Sequence, residues 1–186
     1  MARVIAGMTI SIDGFVADER GSVGRLYSDL ADLQGSPYMN AMIAETGAVL
    51  MGRRAFEMGD PDGYVGTYEF QMPIFVLTHH PPTVPPKQDG HLTFTFVSGS
   101  LESAVEQAKE AAGDRAVTIV GGASVVRDLL SAGLVDELRV DVMPVVLGGG
   151  LRFLDNVDAE DLDLDRIDVQ QVGERTSLRF TVAKKP

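Results

Sequence analysis

The stretch that decides the fold is VTIVGGASVVRDLL, Val117–Leu130. An apolar run before Gly121-Gly122 predicts a buried strand at Ala116–Val120, and the residues after the glycines predict a helix. The first N–H groups of a helix have no internal acceptor and lie at the positive end of its dipole, so an anion binds well there. Two interpretations follow. Either the glycines cradle a phosphate, or they only allow two elements to pack closely.

The glycine turn differs from the two best-known phosphate-binding loops. It lacks the third glycine of G-x-G-x-x-G and follows a late strand, and no Gly-Lys-Ser/Thr follows it. Ser124 either caps the helix or donates to a phosphate oxygen. The turn by itself therefore leaves both interpretations open.

Around this turn, predicted strands alternate with predicted helices. Residues Arg3–Ile12 have period-two apolarity with Ile5, Gly7, Thr9 and Ser11 on a mostly small face, and Ser36-Pro37 resembles a helix start. Residues 18–35 and 79–90 read as loops, the second because its prolines remove hydrogen-bond donors. Further strands are predicted at 48–51, 73–78, 91–98 and 137–146, a helix at 101–113, and a hairpin around Gly173-Glu174. The pattern predicts one α/β domain over residues 1–186, with a mostly parallel sheet and an antiparallel edge.

Composition excludes several classes of function. The net charge of −11, from 16 basic and 27 acidic residues, argues against nucleic acid or membrane partners. There is no cysteine and there are only three histidines, so we expect no metal site. The N-terminal residues lack a signal-peptide core and no apolar run reaches membrane-spanning length, which predicts a cytoplasmic protein.

A pair of arginines supplies the second motif, in VLMGRRAFE, Val49–Glu57. Gly52 follows a short apolar strand, and Arg53-Arg54 open the next element. A guanidinium binds a phosphate with two parallel hydrogen bonds, so the pair suits a monoester such as the 2′-phosphate of NADPH. The alternative is a solvated surface pair.

Five motifs in order resemble a known family: SIDGFVA, MGRRAFE, FVLT, IVGGASV and GLVDELRVDVMPVVLGGG, spread from Ser11 to Gly150. The resemblance is to the dihydrofolate reductase-like fold, and more narrowly to the bifunctional deaminase-reductase C-terminal family of bacterial riboflavin biosynthesis. It implies a three-layer domain with helices on both faces of the sheet. Since the chain has no cysteine, the zinc deaminase motif is absent, and the resemblance is to a stand-alone reductase.

By matched position, the resemblance implies an NADPH site at the carboxyl ends of the strands. Gly52, Arg53 and Arg54 would hold the adenosine-side phosphates, and Leu77 and Thr78 would flank the adenine ribose. The diphosphate would lie on the glycine turn, at Gly121, Gly122, Ala123, Ser124 and Val125. Ala123 is a mild departure, because the family commonly carries another small residue there.

Two residues are candidates for contact with the substrate. Thr9 is a candidate contact to the reacting ring, although small polar strand residues often serve packing. Asp13 matches an acid of the family. By that resemblance it would either bind the substrate or organise the Asp-Gly turn. True dihydrofolate reductases place a carboxylate near the position of Ser36, which disfavours folate here, although Asp29 and Asp32 lie in the preceding segment.

The resemblance also implies a class of substrate and leaves two alternative functions open. The substrate is a small molecule with a C=N or C=O group, of 5-amino-6-ribosylaminouracil phosphate or pterin type. Arg25 and Arg152 are candidates for a substrate phosphate, and Tyr64 and Tyr68 either close over a planar ring or anchor their loop. A homodimer is a further expectation. The alternatives are a non-catalytic NADP(H)-binding module and a scaffold in which both motifs are structural.

Overall fold

The computed structural model describes residues 2–158, 160 and 162–183. The strands are β1 (Val4–Ser11), β2 (Phe15–Ala17), β3 (Thr46–Gly52), β4 (Ile74–Leu77), β5 (Phe94–Val97), β6 (Ala116–Gly121), β7 (Glu137–Met143), β8 (Leu151–Arg152), β9 (Asp163–Val172) and β10 (Arg175–Ala183). The α-helices are α1 (Leu30–Leu33), α2 (Pro37–Glu45), α3 (Arg53–Met58), α4 (Leu101–Ala112) and α5 (Ala123–Ser131).

Eight strands form one sheet in the order β5-β4-β3-β6-β1-β7-β10-β9. The pairs from β5 to β7 are parallel, whereas β10 is antiparallel to both β7 and β9. The prediction of a mostly parallel sheet with an antiparallel C-terminal edge is confirmed. Strands β2 and β8 form a separate two-stranded sheet beside the end of β1.

Strand β1 shows how the alternation works. Val4 and Ala6 belong to a core with α4 and α5, whereas Thr9 and Ser11 lie on the opposite face and are buried among polar groups. Strand β1 ends at Ser11, one residue before the predicted end, and Ile12 beyond it is 66% exposed.

Two apolar clusters lie on opposite faces of the sheet. One joins alternate residues of β3 and β6 to α4 and α5. The other joins the remaining residues of β3 and β4 to α2, α3 and the aromatic side chains of residues 56–70. The predicted three-layer arrangement, with helices on both faces, is therefore confirmed.

The segment 18–35 departs from its prediction as a loop. It contains a 3₁₀ turn at Gly24–Tyr27 and the one-turn helix α1. The prediction for α2 is confirmed, since Ser36 caps it by accepting a hydrogen bond from the N–H of Met39 at 3.2 Å. No helix within the described residues is long and apolar enough to cross a membrane.

Candidate active site

The two predicted phosphate-binding turns lie side by side. Gly52, the last residue of β3, is in register with Leu77 of β4, and Met51 is in register with Gly121 of β6. Strand β1 pairs with β6 on its other side. Because these strands are parallel, their carboxyl ends form one continuous edge, where ligands of open α/β sheets bind.

The glycine turn has the backbone of an open helix start. Gly121 and Gly122 have φ values of 145° and 37°, conformations that residues with a β-carbon rarely adopt. Gly122 is the N-cap of α5 and no side chain caps the helix there, so the structure decides against capping by Ser124. Ser124 is exposed on the first turn. The N–H groups of that turn have no acceptor within the helix.

Close packing also accounts for a glycine on the neighbouring strand. A β-carbon placed on Gly52 would lie 2.8 Å from Cγ2 of Val125, and one on Gly122 would lie 3.9 Å from the Cα of Gly52. Gly52 therefore packs tightly against the Val125 side chain, and the two turns lie next to each other. Close packing explains Gly52, and phosphate binding at the glycine turn stays a prediction.

The arginine pair begins α3 directly after Gly52. Both side chains are exposed. Arg53 donates from Nε to Glu57 at 2.7 Å, one turn later in the same helix. Among the described residues no ion-pair partner is seen for Arg54. The surface-pair interpretation explains Arg53 in part, whereas Arg54 presents an unpaired cation beside the glycine turn.

Leu77 and Thr78 complete the predicted cofactor contacts at the end of β4. Thr78 is buried, its N–H donates to the carbonyl of Val97, and its hydroxyl accepts from the N–H of His80 at 3.0 Å. These bonds fix the turn after β4. The Thr78 hydroxyl accepts one of these bonds and keeps its own O–H free to donate, so its predicted contact with the adenine ribose stays a prediction.

Thr9, two residues before the end of β1, contacts a buried charged cluster centred on Arg175. Nε and Nη2 of Arg175 donate to the two oxygens of Asp29 at 2.8 and 2.6 Å, and Nη1 donates to Asp141 at 3.1 Å. Nη1 also lies 3.4 Å from the Thr9 hydroxyl. The Arg175 side chain is 2% exposed. Burial disfavours its charge, but the hydrogen bonds and charges of Asp29 and Asp141 outweigh this effect and raise the pKa of Arg175.

The same cluster extends to α2. The Tyr38 phenol donates to Asp141 at 2.7 Å and lies 3.0 Å from the Ser177 hydroxyl. Burial, followed by the charge of Asp141, raises the pKa of Tyr38 well above its usual range. Tyr38 therefore stays neutral and serves as a hydrogen-bond donor to the carboxylate. Each oxygen of Asp141 is thus engaged by a protein donor.

Asp13 lies at the turn after β1 and holds a distant loop. Its two oxygens accept from the N–H groups of Leu147 and Gly148 at 3.1 and 2.8 Å. The Ser11 side chain first, and then these N–H groups, lower the pKa of Asp13 from 3.8 to about 2. This geometry explains the organising role of Asp13. Its predicted contact with substrate, like that of Thr9, stays a prediction.

The Asp13 contacts predict a pH-dependent effect on stability. A lowered carboxyl pKa stabilises the folded state fully above the ordinary value of 3.8, and that contribution is lost as the pH falls through about 2. We expect Asp13→Asn to lower the thermal midpoint at pH 6, and the difference from wild type to shrink between pH 4 and 2. Calorimetry over that range measures it, with the exposed Asp114→Asn as the control. A difference that stays constant down to pH 2 would contradict the assignment.

The loop candidates divide into two groups. Arg25 and Arg152 are exposed, and they donate to the backbone carbonyls of Val146 and Asp13 at 2.8 and 3.4 Å. Tyr64 is buried, donates to the carbonyl of Phe56 and packs against Tyr68 with ring centroids 4.9 Å apart. Tyr64 thus anchors its loop in the aromatic cluster. The structure favours the anchoring alternative for Tyr64, while the two arginines stay near the loops at the open edge.

The carboxylates considered as pteridine ligands lie in different places. Asp29 approaches the carboxyl edge, but Arg175 engages both of its oxygens. Asp32 is exposed and lines, with Asp29, a cavity of about 410 Å³ near the β9–β10 turn. Glu45 lies at the far end of α2 in an ion-pair network with Arg3, Arg139 and Arg179. No group of side chains suited to hold a metal ion occurs among the described residues.

Sequence reasoning missed Arg175, Asp141 and Tyr38. The missed signal is the alternation in Glu137, Arg139 and Asp141 of β7, all less than 9% exposed. On the neighbouring strand β10, Arg175, Ser177 and Arg179 alternate in the same way and lie on the same face of the sheet. Two facing rows of buried polar residues predict a charged layer between the sheet and a helix, because buried charges need partners.

Comparison with known proteins gives a consistent picture. The chain matches the RibD C-terminal domain over residues 2–178. It is 26% identical over 181 residues to the uncharacterized protein YwjB of Bacillus subtilis (strain 168), covering 97% of this chain and 98% of that protein.

Solved structures share the fold. A putative riboflavin biosynthesis protein from Shewanella sp. PV-4 has a TM-score of 0.78 and 23% identity, covering 99% of this chain and 100% of that one. A deaminase/5-amino-6-(5-phosphoribosylamino)uracil reductase from Thermotoga maritima has a TM-score of 0.69 and 15% identity, covering 98% of this chain and 57% of that one. Enterococcus faecalis dihydrofolate reductase, complexed with NADP(H), has a TM-score of 0.60 and 19% identity, covering 97% and 96%. The match over nearly the whole chain shows that this protein belongs to the RibD C-terminal domain family.

Proposed function

We propose that the protein is an NADPH-dependent reductase that transfers a hydride to a small substrate with a C=N or C=O group. One observation carries the proposal. The strand order places an exposed arginine pair after β3, an uncapped helix start after β6, and Thr9 near the end of β1 along one edge. Family membership supports the same reaction class, and a relative of the same fold is complexed with NADP(H).

The residues of this edge suit the parts of NADPH. Arg53 and Arg54 would bind the 2′-phosphate, because exposed guanidinium groups form charge-assisted hydrogen bonds with phosphate oxygens. The N–H groups at the start of α5, with the Ser124 hydroxyl, would bind the diphosphate. When bound, NADPH supplies the hydride, and the protein supplies orientation and electrostatics.

The substrate side of the cleft would lie past β6, over β1 and β7. Adjacent strands are about 4.8 Å apart, so the row from β3 to β7 spans roughly 14 Å. Thr9, on β1, is the polar group next along the edge, and the Arg175 cluster lies beyond it. We propose a heterocyclic substrate of the 5-amino-6-(5-phosphoribosylamino)uracil type, the compound named for the Thermotoga reductase. Folate is disfavoured, because Arg175 already engages both oxygens of Asp29.

Calorimetric titration with NADPH and NADH tests the cofactor. A single charge-assisted contact to the 2′-phosphate contributes about 1.5 kcal/mol, so we expect NADPH to bind at least about tenfold more tightly than NADH. Equal affinity for the two would refute the assignment of the arginine pair.

Loss of NADPH absorbance tests turnover, with 5-amino-6-(5-phosphoribosylamino)uracil, a pterin and dihydrofolate as substrates. We expect oxidation of NADPH with the first of these and not with dihydrofolate. The non-catalytic module predicts tight NADPH binding without oxidation by any of the three. A preference for dihydrofolate would contradict the proposed substrate class.

A further inference from the structure

The 3₁₀ turn at Gly24–Tyr27 stands beside the substrate side of this cleft although its own sequence predicts a loop. No side chain caps the turn; its Leu26 side chain is buried, and Arg25 donates to the carbonyl of Val146 at 2.8 Å. Arg175 supplies the link: the guanidinium that binds Asp29 also donates to the carbonyl of Leu26 at 3.4 Å. One side chain from β10 therefore fixes both ends of the Leu26–Asp29 segment.

Tyr27 lies inside this fixed segment. Its ring centre is 6.0 Å from the Arg175 guanidinium carbon, and the same guanidinium lies 3.4 Å from the Thr9 hydroxyl. The Tyr27 residue nevertheless stays 36% exposed. Tyr27 thus contacts the buried cluster through Arg175, while part of the residue stays exposed.

The charge of this region restricts what can face it. Arg175 carries one positive charge against the two carboxylates of Asp29 and Asp141, and its donors are committed to them. The region is therefore unsuited to a phosphate. An uncharged planar ring fits better, because aromatic side chains stack on the faces of planar heterocycles.

We propose that Arg175 is a positioning residue whose guanidinium holds the Leu26–Asp29 segment, so that the Tyr27 ring stands over Thr9 and forms the wall against which a planar substrate ring packs. This inference rests on the proposed reductase function. It assigns Tyr27 to substrate contact and gives Arg175 no direct contact with substrate.

Hydrogen exchange tests the positioning role without any substrate. We expect Arg175→Lys, which keeps the charge but loses the forked geometry, to speed exchange of the backbone amides in residues 22–30 about tenfold or more. Arg179→Lys is the matched control, because Arg179 is on the same strand and pairs with Glu45 and Glu137 instead. Asp29→Asn tests the same contact from its other end. Unchanged protection of residues 22–30 in both Arg175→Lys and Asp29→Asn would overturn the positioning role.

Steady-state kinetics with NADPH and 5-amino-6-(5-phosphoribosylamino)uracil test the wall. We expect Tyr27→Ala and Arg175→Lys to raise KM about tenfold with a smaller change in kcat. The KM of Tyr27→Phe should stay within about threefold of wild type, because the aromatic ring makes the contact. NADPH affinity should be unchanged in all three. Two results would contradict the proposed substrate contact of the Tyr27 ring. One is an unchanged KM in Tyr27→Ala, and the other is a KM in Tyr27→Phe raised as much as in Tyr27→Ala. If wild type itself oxidises no NADPH, the proposed function fails, and hydrogen exchange still decides the positioning role.

Discussion

Replacing Arg53 and Arg54 together by alanine is expected to weaken NADPH binding about 100-fold and to leave NADH binding nearly unchanged. Each charge-assisted contact to a phosphate contributes about 1.5–3 kcal/mol. The lower value applies here, because both side chains are exposed and Arg53 already pairs with Glu57. Two contacts of about 1.5 kcal/mol give about 3 kcal/mol, which is roughly 100-fold in affinity. Calorimetric titration of both cofactors measures it.

A matched variant separates a local contact from a change in net charge. Arg115 and Arg166 are also exposed; Arg115 precedes β6 at its amino end and Arg166 lies in β9, on the edge of the sheet. Arg115→Ala with Arg166→Ala removes the same two charges, and we expect it to alter NADPH affinity less than threefold. Equal losses in the two double variants would reduce the role of Arg53-Arg54 to general electrostatics. Unchanged NADPH affinity in both double variants would show that Arg53 and Arg54 do not bind the cofactor.

Local patterns were sufficient to predict most of the fold. The alternation in β1, the strand and helix on either side of the glycine pair, and the serine cap of α2 each depend on neighbours close in sequence, and each is confirmed. The carboxyl-edge position of Gly52 and Gly121 followed from the same logic, since parallel strands present their ends together. The sequence does not show that the two turns pack against each other, because that depends on the strand order.

The substrate side was largely missed for a different reason. Residues 18–35 contain a 3₁₀ turn and a helical turn whose position depends on Arg175, which is 146 residues beyond Asp29. Local hydrophobic periodicity carries no information about two residues so far apart in sequence. The sequence predicts Asp29 as a carboxylate near the site but gives no sign of its partner, Arg175. The alternating charges of β7 are visible in the sequence, but only the matching row on β10 explains why those charges are buried.

The largest effect on stability is expected from Arg175→Met. Methionine fills much of the same volume but leaves Asp29 and Asp141 buried without their cation, at 8% exposure each. Breaking a buried ion pair by removing one partner typically costs about 3–5 kcal/mol. We expect a loss of that size in the free energy of unfolding, measured by urea denaturation at pH 7. Arg115→Met, at an exposed position, should change it by less than about 0.5 kcal/mol.

A combined variant distinguishes unpaired charge from lost packing as the cause. In Arg175→Met/Asp29→Asn/Asp141→Asn the buried carboxylates are neutral, so the desolvation cost of isolated charges disappears while the Arg175 contacts stay lost. We expect the triple variant to be more stable than Arg175→Met, although each asparagine substitution alone should destabilise the wild type. This non-additivity is the signature of residues that share one network. A triple variant as unstable as the sum of its parts would show that packing around the Arg175 side chain, and not its charge, stabilises the cluster.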